Sequence, residues 1–382
     1  MDPRLNDSER AVRDAARAAA AKALPPPLAT AIDESLQPPG DVLAGLAGPH
    51  GLGRCVAADH GGGDGGILEL ALVIEEIGRA SASLASVATG HMVAGLVIAA
   101  AADDDLAASR LRGLAEGRTL AALGLDGAGS ILDDPGAGAT LEAGGDAGRL
   151  AGRIGAVAGA TLADVFLVPA RAAEGGPVAA WAVVERGQEG VAVGREVAKL
   201  GLNGSGLAAI ALNDIGLAPA AILATGDRAA AIFAQALDWS RIAYAAACVG
   251  IAAAALDAAT RRVLEAGGEL ADSQSIQWML ADSATETEAA RLLTWYAASR
   301  DKPGALREAA AMARLMAADA AVRSSRRAVQ IFGAEGSTRE AGIERLYRDA
   351  KALEVHHGSS EAQRLAVARE ILPDLVDSPA GR

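Results

Sequence analysis

Residues 347–369 decide the fold, and they read YRDAKALEVHHGSSEAQRLAVAR. They predict a short helix that ends near Leu353 and a last helix from about Ser360 to Leu372. Two adjacent histidines, His356 and His357, lie between these helices. The helical pattern extends far upstream of this stretch, which therefore closes a larger helical region.

Three long helical segments precede it, at about 227–265, 272–299 and 304–332. Apolar residues recur in these segments at helical spacing. The glycine pair Gly267-Gly268 and the dipeptide Pro303-Gly304 separate them. Several long helices joined by short loops predict a helical bundle.

Short apolar runs lie before the bundle, from about Arg118, where Gly, Asp and Pro become frequent. The runs are Thr119–Leu125, Val165–Val168, Ala179–Val184 and Leu207–Leu212. This spacing predicts a β domain.

The first third of the chain predicts helices again. Asn6 and Glu9 form a capping-box pattern, and the prolines at 25–27 end the helix that follows. The amphipathic segment Leu68–Arg79 continues into a helical segment from Ala80 to Ala102. We expect a mainly α protein with a central β domain, divided into helical residues 1–117, β residues 118–222 and bundle residues 223–382.

The composition narrows the classes of function. The 382 residues carry a formal charge of −13, so little basic surface is available for a nucleic acid. Cys55 and Cys248 give neither a disulfide framework nor metal-ligand spacing, so we expect no metal. Met1–Leu24 does not resemble a signal peptide, and the uncharged Ile242–Leu256 is shorter than the roughly 20 residues that span a bilayer. We expect no membrane span and a cytoplasmic protein.

Five motifs, in order along the chain, resemble those of the acyl-CoA dehydrogenase family. They are the Gly-rich loop 58–66, KLGLNGS at 199–205, QIFGAEG at 330–336, YRDAK at 347–351 and GSSEAQR at 358–364. Five motifs at the right separations are specific, and the resemblance covers essentially the whole chain.

The resemblance implies a fold and a chemistry. The fold has an N-terminal helical domain, a β-barrel-like middle domain and a C-terminal four-helix bundle, with FAD between them, in dimers or tetramers. Family members remove the α-proton of an acyl-CoA with a glutamate and pass the β-hydride to the flavin. A thioester α-carbon is a poor acid, so the reaction needs a desolvated base and donors on the carbonyl oxygen.

The family's two positions for the catalytic glutamate hold other residues here. The commoner position is His357, and the rarer one, on the first bundle helix, is Ser240. A serine without a partner base cannot take a carbon-bound proton. His357 is therefore the candidate catalytic residue, with an ordinary pKa of about 6.5. The alternative is that His357 only fills space or contacts a partner.

Several positions that contact FAD in the family are kept. The resemblance assigns such contacts to Gly129, Ser130, Gln274, Gln330, Gly333, Ser359 and Glu361. The two glutamines match residues at the adenine half of a neighbouring subunit's FAD, although Gln330 could instead make a helix-end hydrogen bond. Ser359 and Glu361 match positions near the cofactor's phosphate and ribose.

Asp238 and Arg241 match a pair on the first bundle helix, beside the channel for the pantetheine of the substrate. The resemblance therefore assigns them to substrate binding. The alternative is a structural ion pair, because their spacing is that of neighbours on a helix face.

The positions that a subunit uses for its own flavin are changed. Gly124 replaces a threonine that meets the flavin edge, and Ala156-Val157-Ala158 replaces a Trp-Ile-Thr segment that covers the ring. The arginine that meets the pyrophosphate across the subunit interface falls at Val263, and Arg262, one residue away, is the candidate to replace it.

Three functions remain open. The first is the degenerate subunit of a heteromeric acyl-CoA dehydrogenase, paired with a second dehydrogenase chain that shares or holds the FAD. The second is an active homomeric dehydrogenase with His357 as an unusual base. The third is a non-redox protein that binds acyl-CoA or an acyl carrier.

Overall fold

A computed structural model describes residues 5–36, 38, 40–101, 104–125, 138–142, 148–300, 303–356 and 358–372. They form twelve α-helices and eight strands, in the order helices, strands, helices. The predicted fold class, mainly α with a central β domain, is confirmed. The predicted domain limits stay predictions.

The N-terminal region contains six of these helices. They are α1 (Asp7–Ala23), α2 (Pro26–Ser35), α3 (Gly40–Gly45), α4 (Ile67–Ala80), α5 (Ala82–Ala101) and α6 (Asp104–Ala115). The predicted capping box is present, because the backbone N–H of Glu9 donates to Asn6 Oδ1 at 2.9 Å and that of Asn6 to Glu9 Oε2 at 2.7 Å.

The sequence predicted one continuous helical pattern from Leu68 to Ala102, whereas the structure has two helices, α4 and α5, with a break between them. Ser81 has an extended backbone, at φ −156° and ψ 113°, and separates the two helices. Its Oγ accepts the N–H of Leu84 at 3.5 Å, as a capping serine does at the start of a helix.

The middle region is one eight-stranded sheet. Its strands are β1 (Ala121–Leu123), β2 (Ala139–Glu142), β3 (Arg149–Val157), β4 (Val165–Ala172), β5 (Val178–Glu185), β6 (Val191–Val193), β7 (Ala208–Gly216) and β8 (Ile222–Thr225). The order across the sheet is β6-β7-β3-β2-β4-β5-β8, and β1 pairs with β4. These strands enclose a hydrophobic core of their own, which includes Ile154, Phe166 and Ile210.

Strand β3 was not among the predicted apolar runs, although it lies at the centre of the sheet. Glycine interrupts its apolar pattern at Gly152, where φ is +144°. A Cβ there would lie 2.2 Å from the carbonyl oxygen of Gly138, so the close approach of the two chains requires glycine.

The C-terminal region contains the other six helices. They are α7 (Gly226–Ala266), α8 (Gly268–Asp272), α9 (Gln274–Ala298), α10 (Pro303–Phe332), α11 (Ile343–Val355) and α12 (Ser360–Ile371). The three long helices α7, α9 and α10 pack against one another, and α11 and α12 pack against α10. The predicted bundle segments agree with these bounds.

Helix α4 crosses α7 at backbone contact. A Cβ at Gly250 would lie 2.3 Å from the carbonyl oxygen of Glu75, and one at Gly78 would lie 2.9 Å from that of Ala247. The two glycines therefore allow the N-terminal helices to lie directly on the longest bundle helix. Arg291 on α9 closes the same contact through its ion pair with the buried Glu75, at 2.9 Å.

The motif at 347–351 joins all three regions. Arg348 donates to Asp33 Oδ2 on α2 at 2.6 Å and to the carbonyl oxygen of Leu200 at 3.1 Å. The carboxylate of Asp349 is buried and accepts the N–H of Leu202 at 2.6 Å. Burial raises the pKa of Asp349, and Arg345 opposes that shift. The stretch that identifies the fold is thus the one that ties its parts together.

Two helices are long and apolar enough to cross a membrane, namely α5 and α7. In their most apolar windows, 83% and 78% of the residues are buried inside the protein. Both are therefore core helices of this fold, as predicted for Ile242–Leu256.

Candidate functional site

Asp238 and Arg241 lie together on α7. Arg241 Nη1 donates to Asp238 Oδ1 at 2.6 Å, and the Asp238 side chain is only 4% exposed. Burial raises the pKa of the Asp238 carboxyl, whereas Arg241 favours its ionised form. Arg307 on α10 and Glu370 on α12 also act on this carboxyl, so Asp238 faces the junction of three helices. The pair can act as an internal ion pair, and its carboxylate can also accept a ligand N–H.

Ser240 lies between these two residues and is turned into its own helix. Its Oγ donates to the carbonyl oxygen of Ala236 at 2.7 Å and is buried. The hydroxyl is therefore committed to the α7 backbone, which agrees with the prediction that Ser240 is not a base.

A second group of predicted residues lies where α7 and α10 end and α9 begins. Arg262 is near the end of α7, Gln274 is the first residue of α9, and Gln330 precedes the turn at Gly333. Arg262 Nη2 lies 3.1 Å from Glu335 Oε2, and its guanidinium carbon lies 5.7 Å from the centroid of the Phe332 ring. The structure therefore brings Arg262 to the turn that follows α10.

The side chains of Gln274 and Gln330 are exposed. Each carries an amide that both donates and accepts hydrogen bonds. Gly333, which follows α10, has φ +63°, a left-handed conformation that glycine adopts readily. The guanidinium of Arg262 can bind phosphate oxygens, and each exposed amide can meet a polar atom of a ligand.

Sequence reasoning did not single out Glu335 or Phe332. Glu335 was visible as an acidic residue inside the motif 330–336, but its pairing with Arg262 depends on how α7 and α10 pack.

Ser359 and Glu361 cap the last helix. The N–H of Ala362 donates to Ser359 Oγ at 3.3 Å, which makes Ser359 the N-cap of α12. A hydrogen bond from the backbone of Glu361 itself lowers the pKa of its carboxyl, and Ser359 adds to this effect. Both residues therefore have a structural role at α12, in addition to the cofactor contact that the resemblance implies.

The candidate base His357 and the cofactor candidates Gly129 and Ser130 lie outside the described residues. The residue before His357 is described. His356 is buried, and its ring packs edge-on against Tyr244 with 5.5 Å between the ring centroids. Burial lowers the pKa of His356 to about 3, with smaller effects of Arg314 and Lys199. His356 is thus held neutral in the core.

Small, buried residues occupy the positions at which the family covers or contacts the flavin ring. Ala156 and Ala158 are 7% and 4% exposed, at the end of β3. A Cβ at Gly124 would lie 2.8 Å from the carbonyl oxygen of Leu167, so β4 leaves no room for a threonine there. These three positions supply neither a hydroxyl nor an aromatic ring.

No group of three or more His, Cys, Asp or Glu side chains suited to a metal ion occurs within the part of the chain that the structure describes.

The comparisons with known proteins agree with this architecture. The family model for the acyl-CoA dehydrogenase N-terminal domain matches residues 6–118, and that for the C-terminal domain matches residues 230–372. Among curated proteins, the cyclohex-1-ene-1-carbonyl-CoA dehydrogenase of Geobacter metallireducens is 32% identical over 84% of this chain and 87% of its own length. The human mitochondrial short-chain specific acyl-CoA dehydrogenase is 32% identical over 91% of this chain and 86% of its own length.

A solved structure gives the same result. The butyryl-CoA dehydrogenase of Megasphaera elsdenii superimposes with a TM-score of 0.89 at 27% identity, over 97% of this chain and all of its own. The order of the three regions, the five motifs and these matches together place the chain in the acyl-CoA dehydrogenase family.

Proposed function

We propose that this chain is one subunit of a heteromeric acyl-CoA dehydrogenase, in which a second, related chain supplies the competent flavin site. The reaction is the α,β-dehydrogenation of an acyl-CoA thioester with FAD. The observation that carries the proposal is the contrast between two sets of residues. The first set, at the end of the bundle, is polar and at least partly exposed; it consists of Arg262, Gln274 and Gln330. The second set is buried and apolar; it consists of Gly124, Ala156 and Ala158.

Acyl-CoA as the substrate class is supported by the relatives, which include a cyclohex-1-ene-1-carbonyl-CoA dehydrogenase and a short-chain specific acyl-CoA dehydrogenase. In this chain, Asp238 and Arg241 would bind the substrate. The buried carboxylate of Asp238 can accept one amide N–H, and Arg241 favours its ionised form against the effect of burial. An amide-containing chain such as pantetheine offers such a donor.

FAD fits one half of the candidate site. Arg262 would hold a phosphate, and the exposed Gln274 and Gln330 amides would meet the adenine end. Ala156, Ala158 and Gly124 do not fit the other half, because their side chains offer the isoalloxazine neither a hydrogen bond nor an aromatic stacking surface. When bound, FAD supplies the acceptor for the substrate hydride.

The proton that leaves the α-carbon needs a base in the same site. In the proposed complex that base is a glutamate of the partner chain. His357 is the candidate within this chain, because it stands at the sequence position where the resemblance places the family's glutamate. The alternative functions, a homomeric enzyme with His357 as the base and a non-redox acyl-CoA binder, are outcomes of the same experiment.

The experiment is to measure flavin released by heat, per chain, from the protein purified alone and co-expressed with a second acyl-CoA dehydrogenase chain. We expect little flavin in the lone protein and about one FAD per competent partner chain in the complex. Stoichiometric flavin in the lone protein would overturn the proposal and support the homomeric enzyme. Flavin in neither sample, with acyl-CoA bound, would support the non-redox binder. We also propose a cytoplasmic location, since α5 and α7, the two helices apolar enough to cross a membrane, are mostly buried inside the protein.

A further inference from the structure

The end of the bundle carries an acidic side chain at the position where an anion would bind. Glu335 lies in the turn after α10, and its carboxylate faces Arg262 with 3.1 Å between Oε2 and Nη2. The Glu335 side chain is 63% exposed and that of Arg262 is 36% exposed. The pair is therefore accessible to a ligand from solvent.

The guanidinium of Arg262 is otherwise well prepared for an anion. Its central carbon lies over the ring of Phe332, 5.7 Å from the centroid, in a cation–π contact. Its Nε is buried and has no hydrogen-bond partner among the described residues. A planar fork of this kind matches phosphate oxygens in a bidentate way.

The N–H groups of Arg262 that bind the Glu335 carboxylate cannot bind a diphosphate at the same time. The carboxylate carries a single charge on a flexible side chain, and exposed ion pairs of this type are weak. A diphosphate carries more charge and can displace it, but must first break the pair.

We infer that Glu335 is an internal competitor for Arg262, which lowers the affinity of this end of the bundle for the diphosphate of a dinucleotide such as FAD. The inference rests on the proposed function, since it is FAD that the proposed complex binds here. Glu335 is thus a residue that sets cofactor affinity, and it acts through Arg262.

The chain offers a matched control. Glu340 is exposed and follows Glu335 in the same connection between α10 and α11. E335Q and E340Q remove the same charge from neighbouring positions, so a general electrostatic effect would appear in both. R262Q removes the guanidinium itself.

The experiment is a titration of the full-length protein with ADP and, separately, with FAD, at low salt. ADP carries the diphosphate and adenine without the isoalloxazine, so it reports on the Arg262 end alone. We expect E335Q to bind ADP roughly two- to five-fold more tightly than the wild type, which corresponds to the usual strength of an exposed ion pair. E340Q should resemble the wild type. E335Q should have no effect in an R262Q background.

Equal ADP affinity of E335Q and the wild type, or weaker binding by E335Q, would overturn the inference. E335D provides a second variant in case E335Q folds poorly, because it keeps the charge and shortens its reach, and it should also bind ADP more tightly. ADP binding that responds to E335Q, while FAD and acyl-CoA bind to neither the lone protein nor the complex, would leave the inference standing and overturn the proposed function.

Discussion

The guanidinium of Arg314 donates to the carbonyl oxygen of His356 at 3.0 Å, inside the protein. The same guanidinium donates to the carbonyl oxygen of Leu353 and lies 3.8 Å from Cys248 Sγ. A buried cation at this position satisfies two carbonyls at the end of α11 and complements the negative end of the helix dipole. Arg314 therefore anchors the C-terminal end of α11 in the core.

Replacing Arg314 with methionine should destabilise the protein strongly. The substitution removes the guanidinium donor from both carbonyls and leaves that of Leu353 with only the N–H of His356, so we expect the free energy of unfolding to fall by about 2–5 kcal/mol. Urea unfolding followed by circular dichroism measures the change. Arg323→Met is the control, because Arg323 lies on the same helix and is half-exposed. Equal losses in the two variants would show that the buried contacts of Arg314 contribute little.

The burial of His356 should make stability depend on pH. Its pKa is about 3 in the folded protein, whereas an unfolded histidine titrates near about 6.5. Between these values the unfolded chain binds a proton that the folded chain does not, so stability falls as the pH falls. The slope for one such group is about 1.4 kcal/mol per pH unit.

His356→Phe keeps a ring against Tyr244 and removes the titration. As the pH falls from 6 to 4.5, the wild type should lose stability that this variant keeps. The difference between their free energies of unfolding should therefore grow by about 1.4 kcal/mol per pH unit. Unfolding curves at four pH values measure the difference. The exposed His50 gives the control, His50→Gln, which removes an imidazole from the surface instead of the core. A difference that stays constant with pH for His356→Phe would mean that burial does not perturb His356.

The protein should assemble into dimers or tetramers. Leu264 and Trp278 are 76% and 62% exposed on the bundle helices α7 and α9, which makes them candidates for a surface that another subunit covers. Trp278→Glu should shift the mass found by light scattering toward the monomer. Leu200→Glu, at an exposed leucine in the β region, is the control. A strict monomer at micromolar concentration, with a partner chain present, would contradict the expectation.

Substitutions at His357 distinguish the proposed complex from a homomeric enzyme. In the complex, turnover depends on the glutamate of the partner, so His357→Ala and His357→Glu should both leave the dehydrogenation rate nearly unchanged. Dye-linked assays with an acyl-CoA measure this rate.

If His357 is instead the base, His357→Ala should lower the rate by about 10²–10⁴-fold. The wild-type rate should then also fall below about pH 6.5, as the imidazole is protonated. Such a loss, in protein that still assembles normally, would show that this chain is catalytic by itself.

The sequence by itself determined the order of the three regions and the long bundle helices, whereas the predicted apolar runs matched only β1, β4, β5 and β7. Helical periodicity, the capping box at Asn6 and the breaks at Gly267 and Pro303 depend only on neighbouring residues, so the bundle helices could be predicted nearly to their ends. The motif 347–351 could be recognised for the same reason. Strand β3 could not, because its Gly152 is required by a neighbouring strand and interrupts the local pattern.

Only the tertiary structure decided how the side chains of the candidate site are used. Arg262 could be named from the sequence as a phosphate contact, but its partner Glu335 lies on another part of the chain and meets it only where α7 and α10 end together. In the same way, the buried state of His356 depends on Tyr244 and Arg314, which distant helices supply. Ion pairs and burial arise between segments that are far apart in the sequence, whereas periodicity and capping act within a few residues.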